Sequence, residues 1–169
     1  MLKKSKSLGS KLAKTGVIAC VYAASTMLIA PLSYGSIQLR FSEALTILPL
    51  FMPESVIGLF IGCLIANLLG NGLVDVIFGS LATLVAAVLT YLVGKFMKNE
   101  VAKVALGGFF PVIINAIVIP FTYLLITELP SLYFLNFLTV FVGQFIAVYL
   151  FGTLLYLAIK KHLKNAAPK

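Results

Sequence analysis

The sequence predicts an all-α membrane protein of one domain (1–169), a bundle of six transmembrane helices with both termini in the cytoplasm. Three observations carry that expectation. Hydrophobic residues make up 61% of the chain and charged residues 11%, whereas soluble domains run at about 45–50% and about 25%. The apolar residues fall into long runs, several of which reach the roughly 17–25 residues that a spanning helix needs. Finally, twelve of the thirteen basic residues sit in three clusters, Lys3 to Lys14, Lys95 to Lys103 and Lys160 to Lys169, with Arg40 apart from them. Lysines at span ends report orientation. The net charge of +8 is therefore a signal of topology, not of nucleic-acid binding.

Taken in order, the runs lie near 16–32, 41–52, 54–70, 74–97, 101–126 and 132–159. The first follows a lysine-rich start and has the profile of a signal sequence. It lacks a clean cleavage site, so a retained helix is expected. The second and third are separated by Met52-Pro53-Glu54-Ser55. Proline suits the first position of a helix, and a glutamate beside it complements the positive end of the helix dipole. Counting decides between five and six spans. Five would put the two lysine-rich ends (1–14 and 160–169) on opposite faces, whereas six puts both inside with the 95–103 loop. The twelve residues of the second run are short for a crossing, so that segment is expected to be tilted, extended by the preceding loop, or shielded by its neighbours. Cys20 and Cys63 lie in apolar runs and read as small packing residues.

Small residues at four-residue spacing let helices approach closely in lipid. The third run carries Gly58, Gly62, Ala66 and Gly70, and the fourth carries Gly79, Thr83 and Ala87 in line with Asp75. Both read as packing stripes. The first run carries Ala19 and Ala23. Spacing alone leaves open whether that pair packs internally or docks another membrane subunit.

Orienting six spans makes the remaining polar residues asymmetric. Glu43, Asn67, Asn71, Asp75, Glu128 and Asn136 fall in the outer half, with Asn115 and Gln144 near mid-membrane, while the inner half has only Glu54 and Glu100 at its rim. A charge at the bilayer centre costs about 2.5–3.5 kcal/mol on insertion scales, so such groups face a protein interior or a wet cavity. Each alone could cap a helix, pair Arg40 with Glu43, or join helices by hydrogen bonds. Their convergence points to an outward-facing cavity. Aromatic residues accompany it: Tyr34, Phe41, Phe78, Phe109, Phe110, Tyr133 and Phe137. Carboxylates and amides to read edges, with rings to stack on faces, suit a small planar polar heterocycle. An enzyme would need a nucleophile, an acid–base pair or a metal set. The lone histidine, His162, sits among tail lysines, and the cysteines lack histidine support. No cofactor, metal or catalytic residue is expected.

The stretch Ser36-Ile37-Gln38-Leu39-Arg40-Phe41-Ser42-Glu43-Ala44-Leu45, followed by Leu48-Pro49, resembles the signature of the QueT family. The likeness continues through Gly58-Leu59, Gly62-Cys63 and Asn67 into Asp75-Val76-Ile77-Phe78-Gly79-Ser80-Leu81-Ala82-Thr83. The resemblance implies a queuosine-precursor S component of an energy-coupling factor (ECF) transporter, in a prokaryotic plasma membrane. Its expected ligand is a 7-deazaguanine such as 7-aminomethyl-7-deazaguanine. It also implies that Ala19 and Ala23 match the alanine pair that docks on the transmembrane subunit EcfT, with two cytoplasmic ATPases driving import. The expected substrate-binding set is Gln38, Arg40, Glu43, Asn67, Asn71, Asp75, Asn115, Asn136 and Gln144, with Phe41 and Phe78. Glu43 would take the guanine donors and Asp75 the ammonium, or the reverse. An S component for a folate or pterin, which shares the pyrimidinone edge, is the alternative. An autonomous secondary carrier is a further one.

Overall fold

The chain is described by a computed structural model covering residues 7–33, 40–127 and 129–166. Within them the backbone is helical, with six main segments. Helix α1 (Leu8–Leu28) starts at Ser7, whose hydroxyl accepts from the Ser10 amide, and is followed by a short turn, Ala30–Ser33. Helix α2 (Phe41–Leu50) is wound as a 3-10 helix. Helices α3 (Glu54–Gly70), α4 (Leu73–Phe96) and α5 (Glu100–Thr127) follow. After a 3-10 turn, Pro130–Leu132, helix α6 runs as an α-helical stretch Tyr133–Phe145, a π-helical stretch Ile146–Gly152 and a final α-helical stretch Thr153–Ala166.

Three of these helices are long and apolar enough to cross a membrane: Leu73–Phe96, Glu100–Thr127 and the continuous Pro130–His162, with mean hydropathies of 2.3, 2.2 and 2.0. Helices α2 and α3 are apolar but shorter. Large apolar side chains such as Leu69, Leu81, Val85, Ile117 and Phe134 project outward from the bundle, the surface expected of a chain solvated by lipid rather than water.

The short second segment is the centre of the bundle. Eight of its ten residues, from Ser42 to Leu50, are buried, and it packs against the π-helical stretch, α4, α1 and α5. A 3-10 helix rises about 2.0 Å per residue instead of about 1.5 Å, so ten residues cover roughly 20 Å rather than roughly 15 Å. The segment is shielded by its neighbours as expected, but even stretched it falls short of a hydrocarbon core about 30 Å thick. Runs of 3-10 helix longer than about four residues are uncommon. This one contains Pro49, which has no N–H to donate.

Close contacts explain the small residues. A Cβ built on Gly62 would lie 2.7 Å from the Tyr22 Cβ and 2.8 Å from the Ala19 carbonyl, so α3 meets α1 almost backbone to backbone. One on Gly94 would lie 2.7 Å from the Leu50 Cα, which seats the end of α2 on α4. The stripes read as packing on α3 and α4 are buried at Gly58, Gly62, Ala66, Gly79, Thr83 and Ala87.

Candidate substrate-binding site

Glu43 sits in the first turn of α2 and is only 1% exposed. The Tyr22 hydroxyl of α1 donates to its Oε1, and the Asn115 amide of α5 donates to Oε2 at 3.2 Å. Residues 21 before and 72 after Glu43 in sequence thus meet on its carboxylate. A carboxylate has about four lone-pair positions, and these two donors leave some of that acceptor capacity unused. Around it the layer stays polar. Thr26 Oγ1 lies 2.7 Å from Ser42 Oγ, and the buried Arg40 donates from Nε to the Ser33 carbonyl at 3.3 Å.

Asp75 belongs to a second cluster. Its Oδ1 accepts from the Thr122 hydroxyl at 2.6 Å, and its backbone carbonyl accepts from the Asn67 amide at 3.0 Å. Asn67 is fully buried and also reaches the Cys63 Sγ at 3.4 Å, to which Thr83 donates at 3.2 Å. The Asn67 Oδ1 has no hydrogen-bond partner among the described residues. The two clusters share a wall. Asn115 and Thr122 are seven residues apart on α5, two turns along the same face, which spaces the two carboxylates' anchors by about 10 Å along the helix axis.

The other expected site residues divide. Gln144 is 3% exposed, and its Oε1 is a buried acceptor that lacks a partner among the described residues. Asn71 and Asn136 are half-buried. Asn71 closes α3 through its backbone N–H to the Asn67 carbonyl. Phe41 packs its ring on Phe151 at 4.8 Å between centroids. Phe78 is 42% exposed and Phe109 48%. These two rings are exposed on the outside of the bundle. A bilayer removes the penalty on an exposed ring, so a count of aromatics does not locate a pocket in such a chain. Gln38 and Tyr34 lie outside the described residues.

Ala19 and Ala23, expected to dock another subunit, are 5% and 8% exposed, and Ala19 lies against Gly62. Packing of α1 on α3 is the role this arrangement supports for Ala19. Sequence reasoning missed Tyr22, Thr26 and Thr122. Tyr22 and Thr26 share a face of α1 at four-residue spacing, one turn beyond Ala19, and that polar pair inside an apolar run was the available signal.

A family model described as QueT transporter matches residues 12–161. The chain belongs to the QueT transporter family. A relative from Lactococcus lactis subsp. cremoris (strain MG1363), named queuosine precursor transporter QueT, is 37% identical over 101 residues. That match covers 59% of this chain and 59% of the relative. No solved structure matches the chain. In this QueT family chain the residues around Glu43, from Phe41 through Ala44 and Leu48-Pro49, form the buried central helix, with Arg40 as its N-cap.

Proposed function

We propose that this chain is the substrate-binding S component of an ECF-type transporter, taking up a queuosine precursor from outside the cell for ATP-driven import. The observation that carries the reading is Glu43: a carboxylate buried at the centre of a QueT-family bundle, held by Tyr22 and Asn115, with unused acceptor positions. A guanine-type edge offers adjacent N–H donors that one carboxylate can accept together, and such charge-assisted pairs are stronger than neutral ones. In this reading Asp75, half-buried beside Thr122, accepts an ammonium such as that of 7-aminomethyl-7-deazaguanine, or exchanges roles with Glu43. Gln144 and Asn67 add buried acceptors. The relative's name supports the same substrate class.

The lysine clusters put both termini and the 95–103 loop in the cytoplasm by the positive-inside rule. Phosphate-binding Gly-x-x-x-x-Gly-Lys spacing does not occur in the sequence. In this reading ATP is hydrolysed by two partner ATPases acting through EcfT in the plasma membrane. Reconstitution tests the division of labour. Proteoliposomes holding the chain alone are expected to bind 7-aminomethyl-7-deazaguanine without concentrating it. Adding EcfT, the ATPases and internal-face ATP should produce accumulation. Concentrative uptake by the chain alone under an ion gradient would make it an autonomous carrier and end the S-component reading.

A further inference from the structure

The lysine-rich end of the bundle carries a groove that the solute site does not use. It lies between the start of α5 and the last stretch of α6, holds about 330 Å³, and is walled by Val101, Val104, Ala105, Tyr149 and Leu157. Apart from Thr153 and the Tyr149 hydroxyl, its polar groups sit at the lip. There the Glu100 carboxylate accepts from the Tyr156 hydroxyl and pairs with Lys160 at 3.2 Å and Lys103 at 4.0 Å. Lys160 remains 50% exposed, and Lys98 and Lys161, within two residues of Glu100 and Lys160 in sequence, are exposed as well. The single carboxylate is therefore outnumbered, and the lip is net positive.

The wall runs in the direction an acyl chain would take. From Lys160 back to Tyr149 is eleven residues of helix, about 16 Å, close to one leaflet of a hydrocarbon core about 30 Å thick. Tyr149 donates to the Ala105 carbonyl at 2.7 Å, which fixes its ring, and Phe145 continues the surface 4.8 Å away.

We propose that this groove binds one phospholipid with an anionic headgroup, its phosphate at Lys160 and an acyl chain along the Val101 to Tyr149 wall. Charge selects the occupant. A zwitterionic lipid fits the apolar wall equally well but gains nothing from the surplus lysines, whereas an anionic one gains at each of them.

Native mass spectrometry of the purified full chain tests this with phosphatidylglycerol, phosphatidylcholine of the same acyl chains, and glycerol phosphate as the headgroup alone. One phosphatidylglycerol is expected to be retained in preference to phosphatidylcholine, and glycerol phosphate is expected not to displace it. Lys160→Gln should weaken retention about fivefold, the usual effect of one lysine near an anionic surface. Ala105→Phe, at an exposed wall position, should fill the groove and abolish retention while the melting temperature is kept. Equal retention of the two lipids, displacement by glycerol phosphate, or wild-type retention in both variants would overturn the proposal. None of these outcomes touches the Glu43 site.

Discussion

Glu43→Gln is expected to lower affinity for 7-aminomethyl-7-deazaguanine by at least about tenfold, because hydrogen bonds to a charged group contribute roughly 1.5–3 kcal/mol each. The substitution is nearly isosteric. Its amide nitrogen would face either the Tyr22 hydroxyl, which can turn to accept, or the Asn115 amide, which presents a donor to Oε2. Either way the carboxylate is gone and the ligand's donors lose their charged partner. Removing a buried charge relieves its desolvation, so melting temperature should stay level or rise. This pairing of weaker binding with undiminished stability separates a ligand-reading carboxylate from a merely structural one. Asp75→Asn should cost less, since Asp75 is only half-buried and keeps a neutral hydrogen bond to Thr122. Calorimetric titration of both variants beside thermal unfolding makes the comparison. Unchanged affinity in Glu43→Gln would remove it from the site.

Gly62→Leu should have the largest effect on stability. Even a lone Cβ there meets Tyr22 Cβ at 2.7 Å and the Ala19 carbonyl at 2.8 Å, and overpacking costs about 1–3 kcal/mol for modest insertions. The extra leucine carbons must push α1 off α3, and Tyr22 leaves Glu43 with it. Stability and ligand affinity are expected to fall together. Gly72→Ala is the control, since nothing lies within 4 Å of its Cβ position and its φ of −78° is ordinary. A Gly62→Leu protein that melts like Gly72→Ala would contradict the α1–α3 contact.

Much of this architecture was legible as hydropathy. The run at 54–70 coincides with α3, and those at 74–97 and 101–126 fall within a residue of α4 and α5. Glycine, proline and lysine bound these runs, and lipid demands uninterrupted helix inside them. The first helix begins earlier than its apolar run, at Leu8 rather than near 16, because Ser7 caps a helix that lysines can continue. The 3-10 winding of α2 and the π-helical stretch facing it were not legible. Both have the same apolar composition as an ordinary helix, and the choice of winding is made by what packs around them.

The buried polar groups of the candidate site were half legible for a related reason. Glu43, Asn115, Asn67 and Gln144 stand out because burying such groups in hydrocarbon is costly. Their partners Tyr22 and Thr122 do not, since tyrosine and threonine are ordinary in membrane helices. Outer-half placement did not give the spacing of the two carboxylates: they are anchored two turns apart on α5, Glu43 through Asn115 and Asp75 through Thr122.

Titration of the purified chain with 7-aminomethyl-7-deazaguanine and, in parallel, with a pterin bears most directly on the central claim that Glu43 reads the edge of a deazaguanine. Submicromolar binding of the deazaguanine, with the pterin much weaker, is the result expected. Submicromolar binding of the pterin with none of the deazaguanine would contradict it.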